Sequence, residues 1–130
     1  MACLDTTFLI DLLQGTEEAG NLMEDLQRTE RMLTVPAPAV MELWLGALLA
    51  RGSSKEKSKV AELLQSLEIA AFDEAAAKEA AEIEAECMRS GKIMGVEDLM
   101  IAAITTVTGE KLVTRDTDFS RIPGLRLLKY

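Results

Sequence analysis

This sequence predicts an α/β fold with a mainly parallel central sheet, and three observations lead there. Short apolar runs alternate along the chain with longer stretches of helical periodicity. Proline, glycine and capping residues mark the boundaries between the two kinds of segment. The connections are single helices or helical pairs, which join parallel strands and cover both faces of a sheet. With 130 residues, no internal repeat and no linker-like tract, residues 1–130 read as one domain.

Each element follows from local chemistry. Residues 1–4 are apolar and too few for a helix, so they form a buried strand. Thr6 and Thr7 are N-capping types, and residues 8–14 then make a helix that Gly15 ends. Thr16 caps a second helix over 17–31, whose acidic first turn suits the positive end of the helix dipole. Residues 33–35 form the second strand, punctuated by Pro36 and Pro38, and Pro38 opens a helix to about residue 50. Gly52 breaks it, and Ser53 with Glu56 forms a capping box for a helix to residue 67. Residues 69–72 are the third strand. Asp73 caps an alanine-rich helix that runs to about Ser90 and stops at Gly91. Gly95 introduces a last helix over 96–107, followed by a fourth strand at 112–114 and a weaker fifth at 126–129.

Composition narrows the chemistry. Hydrophobic residues make up 48% and charged residues 28%, the balance of a globular chain. With 22 acidic against 14 basic residues the net charge is −8, which disfavours non-specific adhesion to nucleic acids or membranes. An anionic substrate would need a local basic patch or bridging cations. No apolar run is long enough for a membrane span, and the start lacks the basic region of a signal peptide, so the expected location is the cytoplasm. Cys3 and Cys87 lie outside any metal or redox motif and are expected as reduced, buried thiols. The count of histidines is 0, which excludes histidine-based nucleophile systems and zinc sites. Any enzyme chemistry must run on carboxylates, hydroxyls, lysines or metals bound through oxygen.

Carboxylates are placed for that role. Asp5 follows the first strand, and Asp116 and Asp118 follow the fourth, at the sheet edge where open α/β folds bind ligands. Asp98 lies in the first turn of the last helix, and Glu42 about one turn into the helix after the second strand. Asp5, set between apolar segments, needs a partner there. Four or five acids at one rim would repel one another without cations, whereas Mg²⁺ or Mn²⁺ prefers such oxygen ligands. Of the last pair, Asp116 is nearer its strand; Asp118 either supplements it or caps a short turn. Arg115, Arg121 and Arg126 lie near the fourth acidic motif for phosphate contact, and Lys55, Lys57 and Lys59 form a second basic patch. Trp44, between Leu43 and Leu45, reads as core or interface.

The stretches CLDTTFLIDLL, PAPAVMELWLGAL, GVEDLMIAAI and LVTRDTDFSRIPGLRLL, in this order, resemble the PIN-domain family, most closely its VapC-type ribonuclease toxins of prokaryotic toxin–antitoxin pairs. The resemblance runs from Leu4 to Leu128. It implies a three-layer α/β/α sandwich and Mg²⁺- or Mn²⁺-dependent endonuclease activity on structured RNA. By position, Asp5, Glu42, Asp98 and Asp116 resemble the family's catalytic and metal-binding acids, with Asp118 as a supplement, and Thr114 resembles the polar residue beside the metals; Thr6, Thr114 and Arg115 are the candidate substrate contacts. The partners it implies are an RNA substrate, a cognate antitoxin laid across the active-site groove, and a second copy in a homodimer. One departure stands out: the family usually has asparagine where this chain has Thr7. The rival expectation is a catalytically idle PIN-like module that binds RNA or a partner. A phosphotransferase of another α/β class lacks its second aspartate, since Thr7 stands there.

Overall fold

The computed structural model describes residues 1–130. Five strands, β1 (Ala2–Leu4), β2 (Leu33–Pro36), β3 (Glu68–Ala70), β4 (Lys111–Thr114) and β5 (Leu127–Lys129), form one sheet in the order β3-β2-β1-β4-β5. Every pairing is parallel, with Cys3 level with Thr34 on one side and with Leu112 on the other. Six helices connect them: α1 (Thr6–Leu13), α2 (Glu17–Thr29), α3 (Ala37–Leu49), α4 (Ser53–Gln65), α5 (Glu74–Arg89) and α6 (Val96–Thr108). A 3₁₀ turn, Thr117–Arg121, links β4 to β5.

The strand order explains the layers. The chain steps outward from β1 to β2 and β3, then returns to β4 on the opposite side of β1. Right-handed crossovers made in opposite directions place helices on opposite faces. Helix α1 packs on α2 and α3, α3 on α4, and α5 on α6, while α3 also meets α6. The centre is apolar: Leu4, Phe8, Leu9, Ile101, Leu112, Val113 and Phe119 are buried in one cluster. The two cysteines are free and buried, and Trp44 packs partly buried against the core. No helix is long and apolar enough to cross a membrane.

Several boundaries differ from expectation for local reasons. The capping box at Ser53 does not form; Gly52, with φ +71°, supplies the turn, and the helix begins at Ser53 itself. Asp5, not Thr6 or Thr7, occupies the N-cap position of α1. The threonine hydroxyls are committed to other partners, described below. Helix α2 ends at Thr29 instead of residue 31, and Thr16 donates its hydroxyl back to the Asp11 carbonyl. By contrast, Asp73 accepts the Ala76 amide at 3.0 Å, an ordinary side-chain cap of α5.

A candidate active site at the carboxyl edge of the sheet

Strands β1 and β4 are neighbours whose connections leave in opposite directions, so a crevice opens where their carboxyl ends meet. Asp5 follows β1 directly and is only 2% exposed. Its backbone amide bonds the Val113 carbonyl at 3.0 Å, which locks it beside β4. Its carboxylate Oδ2 accepts the hydroxyl of Thr114 at 2.6 Å and that of Thr7 at 2.9 Å. Burial pushes the Asp5 carboxyl up, and these two donors work against the shift. Here is the partner that a carboxylate between apolar segments requires.

Thr114 and Thr6 each hold an acid of this rim. Thr114 is fully buried; it donates to Asp5 and accepts the Asp116 amide at 3.0 Å. Thr6, also buried, donates to Glu42 Oε1 at 2.9 Å and so ties α1 to α3. Burial raises the Glu42 carboxyl, opposed by that hydroxyl and reinforced by Glu97 and Asp5. Thr7 supplies by its hydroxyl the hydrogen bond to Asp5, so the departure from the asparagine pattern leaves that carboxylate oriented.

Asp98 completes the rim from α6. Its carboxyl is pushed up to about 6, first by burial and then by repulsion from Asp116, Asp5, Glu42 and Asp118. Each expected acid thus acts electrostatically on Asp98. As the side chains are placed, no three of them form a ready-made metal cage. Oxygen donors of this type still suit Mg²⁺ or Mn²⁺, which bind through one or two carboxylates and keep several waters. A cation would also relieve the repulsion that raises Asp98. The donor set fits a hard divalent ion.

Asp116 caps the 3₁₀ turn, accepting the Asp118 amide at 2.9 Å, so the capping role considered for Asp118 falls to its neighbour. Asp118 instead pairs with Arg121 at 3.5 Å, both half exposed. Arg126 is not at this rim. Parallel pairing sets it level with the start of β4, where the Leu112 amide bonds its carbonyl and its guanidinium bonds the Gly109 carbonyl. Counting from Asp116 suggested proximity, but β5 re-enters the sheet from its amino edge. Lys59 of the lysine patch pairs with Glu56 on exposed α4. The backbone amide of Arg115 donates to the Thr7 hydroxyl at 3.5 Å.

The sequence reading missed Thr7 as an orienting residue, and Asp11 and Tyr130 altogether. Asp11 carried a usable signal: a carboxylate between Ile10 and Leu12 in an apolar helix. Beside Glu42, a groove of about 220 Å³ lined by Ile10, Leu13, Leu43, Gly46 and Val60 runs between α1 and α3. On α3, Met41, Leu45, Leu48 and Leu49 are exposed apolar side chains.

The raised Asp98 carboxyl carries a stability prediction. A folded pKa above the ordinary 3.8 means that protonation favours the folded chain. Its contribution is present below the ordinary value and is lost as pH rises through about 6. Solvent screening of a half-exposed group limits the effect to about 1 kcal/mol, roughly 3–5 °C in melting temperature. In chelator, thermal melts at about pH 5 and pH 7.5 are expected to show the lower stability at the higher pH. Asp98→Asn should flatten the difference, and saturating Mn²⁺ should offset it.

A family model for the PIN domain matches residues 2–125. The tRNA(fMet)-specific endonuclease VapC of Shigella flexneri is 27% identical over 124 residues, covering 95% of this chain and 92% of that protein. VapBC2 of Rickettsia felis, bound to a DNA fragment from its promoter, superposes with a TM-score of 0.93 at 25% identity, over 99% of this chain and 98% of that one. DNA-bound VapBC of Salmonella typhimurium gives 0.91 at 28% identity, over 98% and 96% of the two chains.

Proposed function

This chain belongs to the PIN-domain family, and from that premise we propose that it is a divalent-metal-dependent endoribonuclease, cutting phosphodiester bonds of structured RNA as the toxin of a toxin–antitoxin pair. The observation that carries the reading is the gathering of Asp5, Glu42, Asp98, Asp116 and Asp118, from separate parts of the chain, near enough to repel one another at the carboxyl edge of the sheet. A field that unfavourable to a carboxylate suits a site that holds cations. A bound Mg²⁺ or Mn²⁺ supplies acidity to water and neutralises charge building on phosphoryl oxygens.

The chain's own residues have distinct parts. Asp5, Glu42, Asp98 and Asp116 would hold the ion, with Asp118 as a supplement. Thr7 and Thr114 fix the orientation of the Asp5 carboxylate, and Thr6 does the same for Glu42. Arg115 would meet the RNA phosphate. Relatives support the substrate and partner: one is a tRNA(fMet)-specific endonuclease, and others were solved as VapBC complexes. The groove beside Glu42 suits an antitoxin segment with apolar side chains. The exposed apolar face of α3 suits a homodimer, acting in the cytoplasm.

The absence of a preset three-acid cage favours one rival, an idle PIN module that binds RNA or a partner without cutting. Calorimetric titration separates the two. The nuclease should bind Mn²⁺, lose all RNA cleavage in chelator, and lose RNA affinity steeply with added salt. Cleavage indifferent to chelator contradicts the proposal, and failure to bind Mn²⁺ leaves the idle module.

A further inference from the structure

Asp11 lies on α1, two turns from the buried Asp5, and is itself only 5% exposed. Nothing in the proposed chemistry uses it. Yet both of its carboxylate oxygens are engaged. Oδ2 accepts the hydroxyl of Tyr130 at 2.7 Å, and Oδ1 lies 3.3 Å from the Arg115 guanidinium. The Tyr130 ring, just past β5, packs edge-on against buried Phe8 with centroids 5.2 Å apart. Burial and the Asp11 carboxylate push the Tyr130 hydroxyl well above its ordinary value, so it stays protonated and donating.

The consequence falls on Arg115. Its residue sits between Thr114 and Asp116, and its amide reaches Thr7. Its guanidinium remains more than half exposed while Asp11 holds one edge. A free arginine at a rim so rich in acids would fold down onto the nearest carboxylate or sweep through solvent. Held at one edge by a buried carboxylate, it keeps further N–H groups open to solvent. Fixing it beforehand also lowers the rotamer entropy lost when an anion arrives. Arg115 also neutralises the buried Asp11 carboxylate, so the contact that completes the tie between β5 and α1 is the same one that holds the guanidinium.

The geometry points to Asp11 and Tyr130 as positioning residues that aim Arg115 at the phosphate backbone of the RNA. This rests on the nuclease reading and deepens it. The two act through Arg115, so their loss should weaken substrate binding and leave the chemical step nearly alone. Asp11→Asn and Tyr130→Phe are each expected to raise KM about three- to tenfold, with kcat within about twofold of the parent. Arg115→Ala should do the same. Adding Asp11→Asn to Arg115→Ala should raise KM no further, because the two residues share one interaction.

The experiment is steady-state cleavage of one RNA by the full chain and these variants in saturating Mn²⁺, with thermal melts alongside. Tyr130→Phe keeps the ring on Phe8 and carries the test by itself if Asp11→Asn fails to fold. Unchanged KM in Tyr130→Phe, or additive effects in the double variant, overturns the positioning role while the nuclease assignment stands. A parent chain that cuts no RNA in Mn²⁺ overturns both.

Discussion

Replacing Asp98 by asparagine is expected to abolish metal-dependent RNA cleavage while the chain folds as before or melts higher. The carboxylate stands half buried in the first turn of α6, facing Asp116, Asp5, Glu42 and Asp118, and its pKa has risen to about 6 in response. Asparagine keeps the shape, removes one of several mutually repelling charges, and takes away an anionic oxygen that a hard cation requires. Loss of one such contribution to charge stabilisation in the transition state costs about 10²–10³ in kcat, and more if the ion is lost altogether. In the metal-free chain at neutral pH, the same substitution relieves repulsion, so melting temperature should not fall. The opposed signs separate a functional acid from a structural one. Asp5→Asn should match it in activity but not in stability, because buried Asp5 accepts two hydroxyls. Full cleavage activity in both variants would falsify the assignment of the site.

Thr114→Val should damage both the fold and the site. The side chain is fully buried; its hydroxyl donates to Asp5 and accepts the Asp116 amide. Valine fills nearly the same volume but leaves a buried carboxylate short of a donor and a backbone N–H without its acceptor. Unpaired buried polar groups cost roughly 1–3 kcal/mol each, so a loss of about 2–4 kcal/mol is expected by urea unfolding. Asp5 should then become harder still to ionise, since burial is no longer opposed by its shortest donor. Thr114→Ser, which keeps the hydroxyl, should recover most of the stability and of the Mn²⁺ affinity. A valine variant as stable as the parent would mean that Asp5 finds another donor.

Much of the architecture was legible beforehand. Strand β1 was readable because four apolar residues precede a charge, and α5 because Asp73 stands where a cap belongs. The carboxyl-edge placement of Asp5 and Asp116 followed from chain order alone, because a residue directly after a strand must lie at that strand's end. Caps were less legible. Ser53 and Glu56 match a capping box by spacing, but Gly52 can adopt a positive φ and starts the helix without a side chain. Arg126 was misjudged because distance along the chain is a poor guide once β5 re-enters the sheet at its opposite edge.

By itself, then, the order of residues determined the α/β class, the parallel sheet and the set of acids carried to one rim. Those are consequences of periodicity, caps and strand ends, which act over a few residues. Only the tertiary structure decided which hydroxyls orient those acids. Thr114 meets Asp5 across 109 positions and Tyr130 meets Asp11 across 119, through strand order and register. A hydroxyl two residues from an acid looks the same in sequence whether it caps a helix, faces water or fixes a carboxylate. The difference arises when β1 and β4 lie side by side and exclude water, so that each buried oxygen must find its donor within the protein.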